Sequence, residues 1–121
     1  MMLFNIILPA TVAIMLAGGQ LLFKRSGIAI VGKGPVQAAG ALMVLPAFWF
    51  SLALYGVATL LWIVVLSRLS LSRAYPWVTL TVVLVPLLAS RVYGEPLSAW
   101  FWLGMAVLVC GLLITQWAAT Q

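Results

Sequence analysis

Four long apolar segments follow one another along this chain, separated by short polar stretches. They cover about residues 3–23, 38–66, 71–90 and 97–117. Crossing about 30 Å of hydrocarbon takes roughly 20 helical residues, so each segment is long enough to span a bilayer. The pattern therefore predicts an all-α membrane protein with a single domain of four transmembrane helices.

Two of these segments depart from a simple straight span. The second is longer than a perpendicular span needs, so either the helix tilts or the part before Pro46 is an interfacial segment. The third contains Pro76 and Pro86, each of which removes a backbone donor. A membrane helix tolerates such prolines where a neighbouring helix or a cavity compensates for the lost hydrogen bond.

The composition agrees with a membrane protein and excludes most other classes. Of the 121 residues, 66% are hydrophobic and 6% are charged, too few polar side chains to cover a water-facing surface. Histidine is absent, Cys110 is the single cysteine and Glu95 is the single carboxylate side chain. Acid–base, nucleophilic and metal chemistry depend mostly on these residue types, so we expect no enzyme, no metal site and no cofactor.

The net charge of +5 comes from six basic residues scattered between the apolar segments. This distribution is typical of interfacial anchors and does not indicate nucleic-acid binding. Four of them follow the first and third spans, namely Lys24, Arg25, Lys33 and Arg91. The other two, Arg68 and Arg73, follow the second span. The positive-inside rule then predicts both termini outside the cytoplasm, although insertion in both orientations stays open.

Polar residues within or beside the spans are the candidate functional residues, because an unpaired polar group in hydrocarbon is costly. Gln20 either bonds a neighbouring helix or contacts a substrate, and the glycines before it allow a close approach. Arg73 lies at the start of the third span, where the helix dipole favours an anion. It binds a phosphate or carboxylate, or it extends to lipid headgroups. Lys24 and Arg25 have the same two interpretations.

Three further positions have structural interpretations. Glu95 lies in a turn, four residues after Arg91, and is expected to cap the last helix or to pair with that arginine, with proton coupling as the alternative. Gly104 and Gly111 are seven residues apart and so lie on nearly the same face of the last helix. That strip favours a partner helix in a dimer, with internal packing as the alternative.

Three short motifs resemble the small multidrug resistance-like branch of the drug/metabolite transporter superfamily, and the resemblance extends over essentially the whole chain. In chain order they are Ala17–Gln20 with Lys24, then Ala74-Tyr75-Pro76, then Gly94–Ser98 with Gly104 and Gly111. They look like the end of the family's first helix, the start of its third, and its fourth. The resemblance implies a four-helix bundle that works as a dimer.

The resemblance also contains one departure that concerns mechanism. The family's cation/proton antiporters carry a glutamate midway along the first helix, where this chain has Ala13–Ala17 with no acid. A better match is the subbranch of paired subunits that flip undecaprenyl-phosphate-linked aminoarabinose, which lack that glutamate. The resemblance therefore implies a flippase subunit in the bacterial inner membrane, acting on a lipid-linked anionic substrate as a homodimer or with a sister subunit.

This interpretation assigns roles to the candidate residues. Arg73, helped by Lys24 or Arg25, is expected to hold the phosphate of a polyisoprenyl phosphate-linked sugar, while Gln20 and Tyr75 contact the sugar. Two other functions stay open from the sequence. One is a small exporter of the multidrug type, and the other is a non-transporting subunit of a membrane glycosyltransferase complex.

Overall fold

The computed structural model describes all 121 residues and contains α-helices joined by short turns, with no strand. A π-helical turn, Leu3–Ile7, leads into the first helix, and the helices are α1 (Leu8–Ala29), α2 (Pro35–Met43), α3 (Pro46–Leu66), α4 (Leu71–Thr79), α5 (Thr81–Tyr93) and α6 (Ala99–Ala119). Four continuous helical stretches are long and apolar enough to cross a membrane: Leu3–Ala29, Pro46–Leu66, Leu71–Tyr93 and Ala99–Ala119. The predicted all-α fold with four spans is confirmed.

The long apolar stretch over residues 38–66 is two helices rather than one. Leu45, between them, has extended backbone with φ −89° and ψ 116°. Pro46 explains the break, because proline disfavours a helical conformation of the residue before it. The indole Nε1 of Trp49 donates to the carbonyl of Met43 at 2.8 Å, which satisfies an acceptor at the end of α2. The helix that is long enough to cross therefore starts at Pro46, and the nine residues of α2 are too few to span a bilayer.

The third span is also interrupted, at Leu80, where α4 ends and α5 begins. The interruption lies between Pro76 and Pro86, each of which lacks the N–H that a continuous helix requires. Threonine hydroxyls on both sides donate to nearby carbonyls: Thr79 to Pro76 at 3.0 Å and Thr81 to Val78 at 2.7 Å. The Pro76 carbonyl also accepts from the Leu80 N–H at 3.2 Å, so backbone and hydroxyl donors both contribute at the break, where no water is needed.

The first helix is the centre of the bundle. It packs against α3, α4 and α5, whereas α6 packs against α4. The residues buried between helices are mostly small, and they include Ala13, Ala17, Ala47, Ser51, Ala58 and Ala74. Small residues let helix backbones approach closely, which is how helices associate in a bilayer. Met105 is the one buried residue of α6, so most of the surface of that helix is exposed.

The alternating helix directions give the bundle two chemically different ends. At one end, which we call the Arg73 end, the Arg68 guanidinium lies 5.0 Å from the centre of the Phe4 ring. At the other, the Lys24 end, the Tyr93 hydroxyl donates to the carbonyl of Leu21 at 2.6 Å. The turn between α3 and α4 therefore meets the start of the first helix, and the turn between α5 and α6 meets its end.

Candidate functional site

A polar cleft of about 230 Å³ opens at the Arg73 end. It lies where the start of the first span, the start of α4 and the end of α6 come together. Its lining residues are Asn5, Ile6, Leu69, Arg73, Trp77, Gln116 and Thr120. The side-chain Nε2 of Gln116 donates to the backbone carbonyl of Arg73 at 3.3 Å, which ties α6 to α4 beside the cleft.

The charge of Arg73 is not neutralised by a carboxylate of the chain. Glu95 is the only acidic side chain, and the one salt bridge of the structure joins it to Lys24 at the opposite end. A guanidinium offers several N–H donors in a planar fork that matches a phosphate or carboxylate. With the amides of Asn5 and Gln116 lining the same cleft, the arrangement can bind an anionic oxygen group.

The structure does not bring Arg73 together with Lys24 and Arg25. Asn5 shares the cleft with Arg73, whereas Lys24 lies 19 positions further along the same continuous helix, about 28 Å at 1.5 Å per residue. Within a single chain Lys24 and Arg25 do not meet Arg73, and their help at one phosphate site formed between two subunits stays a prediction. The antiparallel order of the spans causes the separation, since the basic residues follow spans that end on opposite sides.

Glu95 contacts Lys24 and not Arg91. Its carboxylate Oε1 lies 3.4 Å from the Lys24 Nζ, and Ser98 caps α6 by accepting from the Phe101 N–H at 3.3 Å. Neither predicted contact of Glu95 is therefore present. The reason is that Gly94, in the left-handed conformation with φ +65°, ends α5 before Glu95, so Glu95 does not lie one turn after Arg91 on a shared helix.

Gln20 bonds a neighbouring helix, which is one of its two predicted roles, but its partner was not predicted. Its side-chain Nε2 donates to the hydroxyl of Tyr55, near the middle of α3, and that hydroxyl lies 3.5 Å from the carbonyl of Leu16. Tyr55 was not among the candidates, although a tyrosine inside an apolar span signals a hydroxyl that needs a partner. The observed bond is of the helix-to-helix kind, and a substrate role of Gln20 stays a prediction.

The glycine before Gln20 makes room for this tyrosine. A Cβ placed on Gly19 would overlap the Tyr55 ring, whereas one on Gly18 would be in ordinary contact with Leu54, 3.5 Å away. The Phe23 ring packs on the same tyrosine with ring centres 4.9 Å apart. The motif over residues 17–20 thus joins α1 to α3 through close packing and one hydrogen bond between exposed Gln20 and half-buried Tyr55.

Tyr75 lies on α4 and is exposed, so its ring is available to a ligand. It lines a groove of about 790 Å³ between α4 and α6, and it also borders a small cavity of about 140 Å³ beside Val12 and Leu16. Gln20 lines neither of these spaces. The two residues expected to contact the sugar are therefore not neighbours in one chain.

Gly104 and Gly111 lie on an exposed strip of α6. A Cβ at either position would meet no atom within 4 Å. Gly104 borders one groove and Gly111 borders a second, and Val107 and Leu108, which lie between them, line both grooves. The four residues therefore form one continuous face. A Cβ at either glycine would therefore be tolerated within this chain, and a dimer contact on this strip stays a prediction.

Comparison of the sequence with known proteins shows the family of this chain. The chain is 34% identical over 115 residues to a protein of Serratia proteamaculans (strain 568) named "Probable 4-amino-4-deoxy-L-arabinose-phosphoundecaprenol flippase subunit ArnE", covering 93% of this chain and 96% of that protein. A protein of the same name from Yersinia pseudotuberculosis serotype O:1b (strain IP 31758) is 39% identical over 71 residues, 57% of this chain and 62% of its own. One from Pseudomonas syringae pv. syringae (strain B728a) is 36% identical over 73 residues, 60% and 68%. No family model and no solved structure matches. The chain belongs to the family of ArnE-type flippase subunits.

Proposed function

We propose that this chain is one subunit of a transporter in the bacterial inner membrane that moves a polyisoprenyl phosphate-linked sugar, or a related anionic lipid, across the bilayer. The relatives are named for 4-amino-4-deoxy-L-arabinose-phosphoundecaprenol, a substrate with a long apolar tail, a phosphate and an amino sugar. The observation that carries the proposal is the position of Arg73, a cation without a protein carboxylate in a polar cleft.

The surroundings of Arg73 suit the two parts of such a substrate. The guanidinium and the neighbouring amides bind the phosphate, because charge-assisted hydrogen bonds to an anion are the strongest available here. The groove between α4 and α6 starts at Ser72, next to Arg73, and most of its exposed surface is apolar. A polyprenyl tail remains in the lipid outside the bundle, on the Ser72 side of this groove, while the head group occupies the polar cleft. The α6 wall of the groove, with Val107, Leu108 and Gly111, stays free for a second subunit.

Transport requires that the head group is held in turn at both faces of the membrane. The bundle has basic side chains at each end, with Arg73 at one and Lys24 with Arg25 at the other. Asn5, which shares the cleft with Arg73, lies about 28 Å along the first helix from Lys24. In the orientation that the basic residues favour, the Lys24 end faces the cytoplasm. We assign the phosphate to Lys24 or Arg25 at that end and to Arg73 at the opposite end.

A second subunit, identical or a sister chain, completes the pathway in this proposal. The strip of Gly104, Val107, Leu108 and Gly111 on α6 supports it, because a glycine strip allows close approach of another helix and nothing in this chain covers it. The first helix carries no acidic residue, which disfavours a proton-coupled exporter of cations. Catalysis is not part of the proposed role.

The test is complementation of a bacterium that lacks its own flippase subunit of this family. Wild type should restore the sugar-modified envelope lipid, and Arg73→Ala at normal abundance should lower its amount about tenfold, as loss of a charged hydrogen bond predicts. Arg68→Ala is the matched control, because Arg68 lies at the same end but outside the cleft. Full restoration by Arg73→Ala would contradict the phosphate site, and proton-coupled uptake of a quaternary ammonium dye would favour an exporter.

A further inference from the structure

The Lys24 end differs from the Arg73 end because it contains the only carboxylate side chain of the protein. The Lys24 and Glu95 side chains lie 3.4 Å apart and keep 52% and 42% of their surfaces exposed. An ion pair this exposed contributes little to stability, about 0–1 kcal/mol. The pair is therefore accessible to a ligand and can be exchanged for contacts with that ligand at small cost.

The turn that carries Glu95 is fixed in place by other groups. Tyr93 anchors it by donating to the Leu21 carbonyl at 2.6 Å, and Gly94 provides the left-handed turn with φ +65°. Ser98 caps α6, so the carboxylate of Glu95 is not needed as the cap. The backbone thus holds an acid beside Lys24, with Arg25 next in the chain, without using that acid to build the turn.

Adjacent opposite charges are complementary to a ligand that carries both charges. A sugar with a primary amine is cationic near neutral pH, and the phosphate that links it to the lipid is anionic. We propose that Glu95 is a specificity-determining residue that binds the protonated amine of a lipid-linked amino sugar while Lys24 binds its phosphate. This inference rests on the proposed function. It further implies that the Arg73 cleft, which no acidic side chain lines, does not distinguish an amino sugar from a neutral one.

The experiment compares two substrates that differ in one group. Membrane vesicles containing the full chain with its native partner subunit are given radiolabelled analogues with a short prenyl tail, one bearing phosphate-linked 4-amino-4-deoxyarabinose and the other phosphate-linked arabinose. Wild type should take up the amino analogue in preference. Glu95→Gln should lower the ratio of amino to neutral uptake about tenfold, as expected for a lost charged hydrogen bond, and Glu95→Asp should keep part of the preference.

Lys24→Gln is the matched control, because it breaks the same ion pair from the other side. It should lower uptake of both analogues and leave their ratio within about twofold. Equal losses of both analogues in Glu95→Gln and Lys24→Gln would mean that the pair is only structural and would overturn the inference, as would a wild-type protein without a preference. If wild type moves neither analogue above vesicles that lack the chain, the proposed function itself fails, and this inference with it.

Discussion

The contact between Gly19 and Tyr55 leads to a sharp prediction about stability. In Gly19→Ala the new methyl group would overlap the Tyr55 ring, so the ring or α3 must move. That movement also breaks the hydrogen bond from Gln20 to the Tyr55 hydroxyl. Gly18→Ala is the matched control, because its methyl group would lie in ordinary contact with Leu54, at 3.5 Å, on the same helix.

The expected magnitude follows from three effects. Overpacking by a methyl group costs about 1–3 kcal/mol, a lost hydrogen bond between membrane helices costs about 0.6 kcal/mol, and alanine is about 1 kcal/mol better than glycine inside a helix. Gly19→Ala should therefore lower the free energy of unfolding by about 0.6–2.6 kcal/mol. Gly18→Ala should leave it unchanged or raise it by up to about 1 kcal/mol.

Reversible unfolding in mixed micelles, followed by circular dichroism over increasing denaturing detergent, measures this difference. All variants are compared at one protein concentration, because subunit association changes apparent stability. In a Tyr55→Ala background the ring is gone, so adding Gly19→Ala should cost nothing further. Equal unfolding midpoints for Gly18→Ala and Gly19→Ala would refute the close packing of the tyrosine on α1.

The remaining predictions concern the polar bond, the turn at the Lys24 end and the face of α6. Tyr55→Phe removes the hydroxyl and should cost about 0.6 kcal/mol in the same unfolding assay; no change would mean that the bond from Gln20 contributes nothing. Gly94→Ala should lower the free energy of unfolding by about 1–2 kcal/mol, because the φ of +65° at Gly94 is unfavourable for other residues. Gly27→Ala is the control and should not lower it, because Gly27 is helical and its Cβ would lie in open space. Gly104→Leu should leave helicity intact but weaken subunit association about tenfold, measured by energy transfer between labelled chains. Gly56→Leu, at an exposed position on α3, should leave subunit association unchanged. Equal weakening of association by Gly104→Leu and Gly56→Leu would argue against the α6 strip as the interface.

The candidate site shows why residue type is easier to predict than residue grouping. Arg73 and Gln20 were identified from the sequence because polar groups stand out in apolar segments, and the structure gives each of them polar surroundings. Their partners, Gln116 and Tyr55, are 43 and 35 residues away along the chain. Nothing local to Arg73 or Gln20 indicates these pairs, since they depend on which helices are neighbours.

The sequence by itself determined that this protein is a bundle of four membrane-spanning helices, because hydrocarbon requires every backbone hydrogen bond to be made within a helix and the apolar segments have the necessary length. The tertiary structure decided where the charges meet. It separated Arg73 from Lys24 along the bundle, and it placed Glu95 beside Lys24 instead of Arg91. The physical reason is that the composition of a segment decides whether it lies in lipid or in water. The distance between two side chains depends instead on helix direction, on turns such as the one at Gly94, and on which small residues allow two helices to touch.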